Sequence, residues 1–201
     1  MGYALECFLL DHARLKGLVG SNQDELAEQI IASEAAIFDA NPGVPWRDAL
    51  RELVGADHGW RLARHAVLDD SGPVTVVNAA QAMAMVALIR SQGVRLGELI
   101  HNSRAGEKFR AIFAPGYRPT PFAQPALLGH LLHRPLFRSS GPIYPDWGAL
   151  SLAELTRLRG ASAERAVSWP DCPDQRAWLY GLYDMVDDAL GEGSDVVTLY
   201  L

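Results

Sequence analysis

The chain reads as an α+β protein in which helices pack around a small sheet that includes its N- and C-terminal strands. Three observations predict this. The segment Tyr3–Leu10 is a run of aromatic and aliphatic residues with one charge, Glu6, bounded by Gly2 and Asp11 and too short for a helix. The segment Val196–Leu201 is six consecutive β-formers. Between them the apolar residues repeat mostly at helical spacing and do not alternate strand and helix, as a doubly wound or barrel chain would.

In chain order, Asp11 is placed to cap a short helix carrying Leu15, Leu18 and Val19, with Gly20 as its stop. A second helix begins at Ser21–Asn22, with Leu26, Ile30, Ile31, Ile37 and Phe38 as its buried face and Asn41-Pro42-Gly43 as the turn after it. Trp46, Leu50 and Leu53 stand at i, i+4 and i+7 with charges between them, an amphipathic helix opened by Pro45 and closed by Gly55. From Asn78 to Ser91 almost no polar face remains, so this helix is expected to be buried nearly all round. Leu96, Leu99 and Ile100, after Gly93, suggest a further turn or short helix.

Seven prolines fall between Pro115 and Pro145, so 115–147 reads as an irregular region or insertion within a single domain spanning 1–201. Only Ala126–His133 in that stretch reads as helix. Ser151 with Glu154 forms a capping-box pattern ahead of Leu152, Leu155 and Leu158. The last helix is expected from about Asp174 to Leu190, with Trp178, Leu182, Met185 or Val186, and Ala189 on one stripe and Gly191 as its stop. Pro73–Val77 and Glu164–Trp169 are further candidate strands.

Composition narrows the function classes. A net charge of −6 with a pI near 5.5 argues against nucleic acid or an anionic membrane as the main partner. The longest apolar run, Ala82–Ile89, falls far short of the roughly 20 residues that span a bilayer. Glu6 interrupts the apolar stretch near the N-terminus and no basic segment precedes it, so a signal peptide is not expected and a cytoplasmic location is. Cys7 and Cys172 form neither a disulfide framework nor a CxxC site and read as free thiols, a bridge between them being the alternative.

The order of features resembles the YfbM-like family of bacterial proteins of unknown function. The resemblance rests on Gly2–Leu10 with Leu15 and Leu18, on the tryptophan-led helix Trp46–Val54 ending in Gly55, and on Leu182-Tyr183 followed by Gly193 and Val196–Leu201. It implies an α+β fold with the terminal strands in one sheet, and it transfers no catalytic residue.

No P-loop, G-x-G-x-x-G or G-x-S-x-G pattern is present. His130 and His133 lie one helical turn apart, a spacing that suits two metal ligands, with His101 or a carboxylate as the third. The favoured reading of the pair is surface or helix-end histidines, and no metal or other cofactor is assigned. His58 and His65, seven apart with Arg61 between, suit an anion-holding face or a solvated one. Cys7 would act as a nucleophile only in an accessible, electropositive setting.

Along the proline-rich stretch, Phe113, Tyr117, Phe122, Phe137, Tyr144 and Trp147 are interleaved with Arg110, Arg118, Arg134 and Arg138. Aromatics and arginines on irregular surface segments can anchor a partner, and the same rings can instead pin loops to the core. The leading expectation is a binding or protein-interaction domain contacting a protein or small-molecule ligand through Arg118, Arg134, Arg138, Tyr144 and Trp147. The alternative is a small enzyme, such as a metal-assisted hydrolase, with a pocket drawn from His58, His65, His101, His130 and His133.

Overall fold

The computed structural model describes residues 2–39, 43–55, 78–117, 119–134, 146–160 and 169–201, the side chains of His133 and Asp146 excepted. The expected strand at 73–77, most of the one at 164–169, and His58, His65, Arg118, Phe137, Arg138 and Tyr144 lie outside the described residues. The chain divides into two compact units. One is drawn from Leu10–Val94 and Pro135–Asp146, the other from Met1–Leu9, Arg95–Arg134 and Trp147–Leu201.

The first unit is helical. Asp11 accepts a hydrogen bond from the Arg14 backbone at 2.8 Å and so opens α1, His12–Leu18. The second helix, α2, runs Asp24–Phe38 and starts later than its sequence suggests. Asn22 takes a left-handed φ of 60°, and Gly20 and Asn22 donate to the terminal carbonyls of α3, Leu53 and Val54, at 2.8 and 2.9 Å. Those residues therefore satisfy the end of α3, Trp46–Val54, instead of beginning α2.

Ile30, Ile31 and Phe38 are buried as expected, whereas Ile37 is 49% exposed, because it falls off the arc that the other three define. Trp46, Leu50 and Leu53 of α3 are all buried, and the Trp46 ring meets Phe38 at 5.1 Å. The fourth helix, α4, spans Ala79–Gln92 behind a reciprocal cap in which Asn78 and Gln81 bond to each other's backbone. Six successive residues, Ala84–Ile89, are buried, so this part of the helix has no solvent face.

The second unit holds a four-stranded sheet in the order β2-β1-β4-β3, with β1 Gly2–Leu9, β2 Val94–Asn102, β3 Asp146–Leu150 and β4 Val196–Tyr200. The two terminal strands are its central pair. They run antiparallel with Leu5 opposite Tyr200, Cys7 opposite Thr198 and Leu9 opposite Val196. All five residues of β4 are buried.

Two strands correct the sequence reading. Leu96, Leu99 and Ile100 belong to β2 and not to a helix: burial alternates at its end, with Leu99 and His101 in and Glu98, Ile100 and Asn102 out. Asp146–Leu150, expected within an irregular region, is the edge strand β3. Its Gly148 passes against backbone, where a Cβ would stand 2.2 to 2.5 Å from the Leu131 carbonyl and His130 oxygen.

The remaining helices of this unit are α5 Gly106–Ala111, α6 His130–His133, α7 Leu152–Arg159 and α8 Pro173–Glu192. A 3₁₀ turn over Pro125–Gly129 leads into α6, so the segment expected to be one helix is a 3₁₀ turn followed by a short α-helix. Ser151 and Glu154 make the expected capping box at α7. The last helix passes through Gly191 and stops at Gly193, whose φ of 62° is left-handed. Leu5, Cys7, Leu99, Phe109, Leu131, Leu155, Trp178, Leu182 and Tyr200 contribute to the core that these elements share.

Candidate functional site

The end of β2 and the start of α8 are tied together by one hydrogen bond, from Trp178 Nε1 to the Ile100 carbonyl at 3.1 Å. Trp178 is there because the α8 stripe turns it inward, and Gly181, one turn on, leaves the space that Leu99 fills, since a Cβ would come within 2.6 Å of Leu99 Cδ2. Beside this crossing lies an open cleft of about 570 Å³ lined by Gly2, Ile100, His101, Asn102, Ala105, Asp174, Ala177 and Trp178.

The buried floor is His101 and Trp178; Ile100, Asn102, Asp174 and Ala177 are exposed around it. His101 Nδ1 lies 2.9 Å from the Asn102 carbonyl, which can only accept, so this nitrogen carries the hydrogen. Nε2 then accepts from the Tyr200 hydroxyl at 2.8 Å. Around His101 the rings form one cluster: Tyr3 stacks at 5.4 Å, Phe109 at 4.4 Å and Tyr200 at 5.8 Å, with Trp178 edge-on at 6.1 Å. The Arg110 guanidinium covers the Tyr200 ring at 5.6 Å. The Asn102 side chain accepts from the Ala105 backbone at 3.0 Å and so fixes the 3₁₀ turn Ser103–Ala105.

The partner-binding residues named from sequence have other work where they are described. Arg134 bonds to Glu154 Oε2 at 2.7 Å, in the capping box of α7. Trp147, expected among exposed aromatics, is 4% exposed, because β3 turns it inward. Phe113 and Phe122 are buried as well.

The described histidines each have a local setting of their own. His12 opens α1, His101 is held by Tyr200 and Asn102, and His130 Nδ1 lies 3.8 Å from Glu154 Oε1. Among the described residues no group of three or more His, Cys, Asp or Glu side chains is placed to hold a metal ion.

Cys7 is buried, and burial, seconded by the neighbouring Glu6 carboxylate, pushes its thiol up to about 12. A thiol of that pKa is not a nucleophile near neutrality. A second cleft, of about 440 Å³, lies at the start of α3 along Gly43–Arg51. Its arginines are engaged, Arg47 with Asp39, and Arg51 with Glu28 at 2.7 Å and Asp48 at 3.0 Å.

The cleft at His101 was partly signalled by the sequence, which offered His101 as a histidine of interest and Trp178 as a core residue. Asp174 and Ile100 carried no signal of their own, since what joins them is the meeting of β2 and α8. No family model, curated protein or solved structure matches the chain. Among the described residues no helix is long and apolar enough to cross a membrane.

Proposed function

We propose that this protein is a binding module for a small molecule, which it holds in the cleft between the end of β2 and the first turns of α8. One observation carries the reading: a cleft of about 570 Å³ with a rigid aromatic floor and an exposed isoleucine on its rim. Ligand sites commonly fall at roughly 300–1,000 Å³ and combine apolar walls with a few fixed polar groups. The floor is held by hydrogen bonds from Trp178 and between His101 and Tyr200, so little ordering cost attaches to binding there.

Arg134 and Trp147 serve the fold, Arg118, Arg138 and Tyr144 lie outside the described residues, and the cleft is the site on which this reading rests. The residue pattern supports placing the chain beside the YfbM-like bacterial proteins, and its two free thiols support a reducing cytoplasm.

A fragment screen followed by amide NMR on the full chain tests the reading. Hits are expected to move resonances of residues 100–105 and 174–178, and Ile100→Glu is expected to abolish those shifts without loss of the fold. Shifts confined to other residues, or none from a diverse library, would overturn it.

A further inference from the structure

We infer that the ligand of this cleft carries a cationic amine on a flat apolar body, an inference that rests on the binding reading above. The floor has little hydrogen-bonding capacity left. Trp178 gives its N–H to Ile100, both ring nitrogens of His101 are engaged, and Asn102 Oδ1 caps the Ala105 amide. What the lining still offers is the exposed Asp174 carboxylate, to which no described residue donates, together with the Asn102 amide hydrogens and the apolar surfaces of Ile100 and Ala177.

Asp174 lies in the first turn of α8, whose N-terminal dipole favours anions. That dipole amounts to roughly half an elementary charge, against the full negative charge of the carboxylate, so this helix end is attractive to a cation. The chain's charge of −6 acts in the same sense at longer range. An ammonium group beside Asp174 leaves the ligand's apolar body against Ile100, Ala177 and the edge of Trp178, while a carboxylate ligand would meet Asp174 as a like charge.

Three probes that differ only in head group decide the matter: phenethylamine, 2-phenylethanol and 3-phenylpropionate, titrated into the full chain by amide NMR. The amine is expected to shift residues 100–102 and 177–178 and to bind about three- to tenfold more tightly than the alcohol, with the acid weakest. Asp174→Asn is expected to remove that advantage while leaving the alcohol's affinity unchanged. Equal or better binding of the alcohol or the acid, or an amine affinity indifferent to Asp174→Asn, overturns the inference and leaves the cleft reading standing. Silence from all three probes overturns it too, and the fragment screen then decides the cleft separately.

Discussion

The imidazole Nε2 of His101 on β2 accepts the hydroxyl of Tyr200 on β4 at 2.8 Å, joining two strands that are separated in the sheet by β1. Tyr3 of β1 stacks on both rings, at 5.4 and 6.1 Å, so the bond crosses its strand as a bracket. Tyr200→Phe leaves Nε2 buried without a donor, and chemical denaturation is expected to show a loss of about 1–3 kcal/mol. Adding His101→Phe removes the stranded nitrogen and is expected to restore part of that stability; a double variant weaker than the sum of its parts would contradict the bracket.

Gly148 is fixed by contact with backbone. A Cβ there would stand 2.2 Å from the Leu131 carbonyl carbon, and the three nearest atoms are all backbone, with no flexible side-chain tip among them to move aside. Gly148→Ala is expected to cost roughly 1–3 kcal/mol and lower Tm by several degrees. Gly191→Ala is the control: it lies inside α8 with open space around it, and the exchange is expected to stabilise by about 0.5–1 kcal/mol.

Glu154 supplies a pH dependence. Burial raises its pKa, but the Ser151 backbone N–H and the Arg134 guanidinium outweigh burial and hold it below the usual carboxylate value. Since the folded pKa is the lower one, the stabilisation is complete above the unfolded pKa of about 4.3 and disappears as pH falls through the folded value. Denaturation midpoints should therefore favour wild type over Glu154→Gln near neutrality, with the gap closing in acid. Ser151→Ala, which removes the cap itself, is expected to cost about 1 kcal/mol.

The two thiols should differ sharply in reactivity. Cys7 is buried with its pKa pushed up to about 12, while Cys172 is half-buried just ahead of α8. Iodoacetamide under native conditions, read by peptide mass spectrometry, is expected to label Cys172 and spare Cys7 until the protein is unfolded. Rapid native labelling of Cys7 would show that β1 opens easily.

Much of the fold was legible wherever a local rule acted alone. The capping box at Ser151, the tryptophan-led α3 and the two terminal strands each follow from residues within one turn or one strand. The failures have physical causes. In β2 the leucines and isoleucine happen to fall at helical spacing, and only the sheet selects the alternation that buries Leu99 and His101. The strand β3 sits behind prolines and holds a glycine that propensity disfavours, yet contact with the Leu131 backbone requires it. Trp147 could not be assigned inward until that strand existed. The cleft depends on residues about 75 positions apart, Ile100 and Asp174, and no periodicity links them.

The pairing of β1 with β4 also sets a timetable. Leu5 finds Tyr200 across nearly the whole chain, and this pairing occupies the middle of the sheet. During synthesis β1 emerges long before β4, the strand that covers one of its edges. Until then the apolar stretch around Phe8 and Leu9 has an open hydrogen-bonding edge, the state in which strands of different chains associate. Such long-range closure makes slow refolding the expectation, and this edge of β1 stays open until Val196–Tyr200 can pair with it.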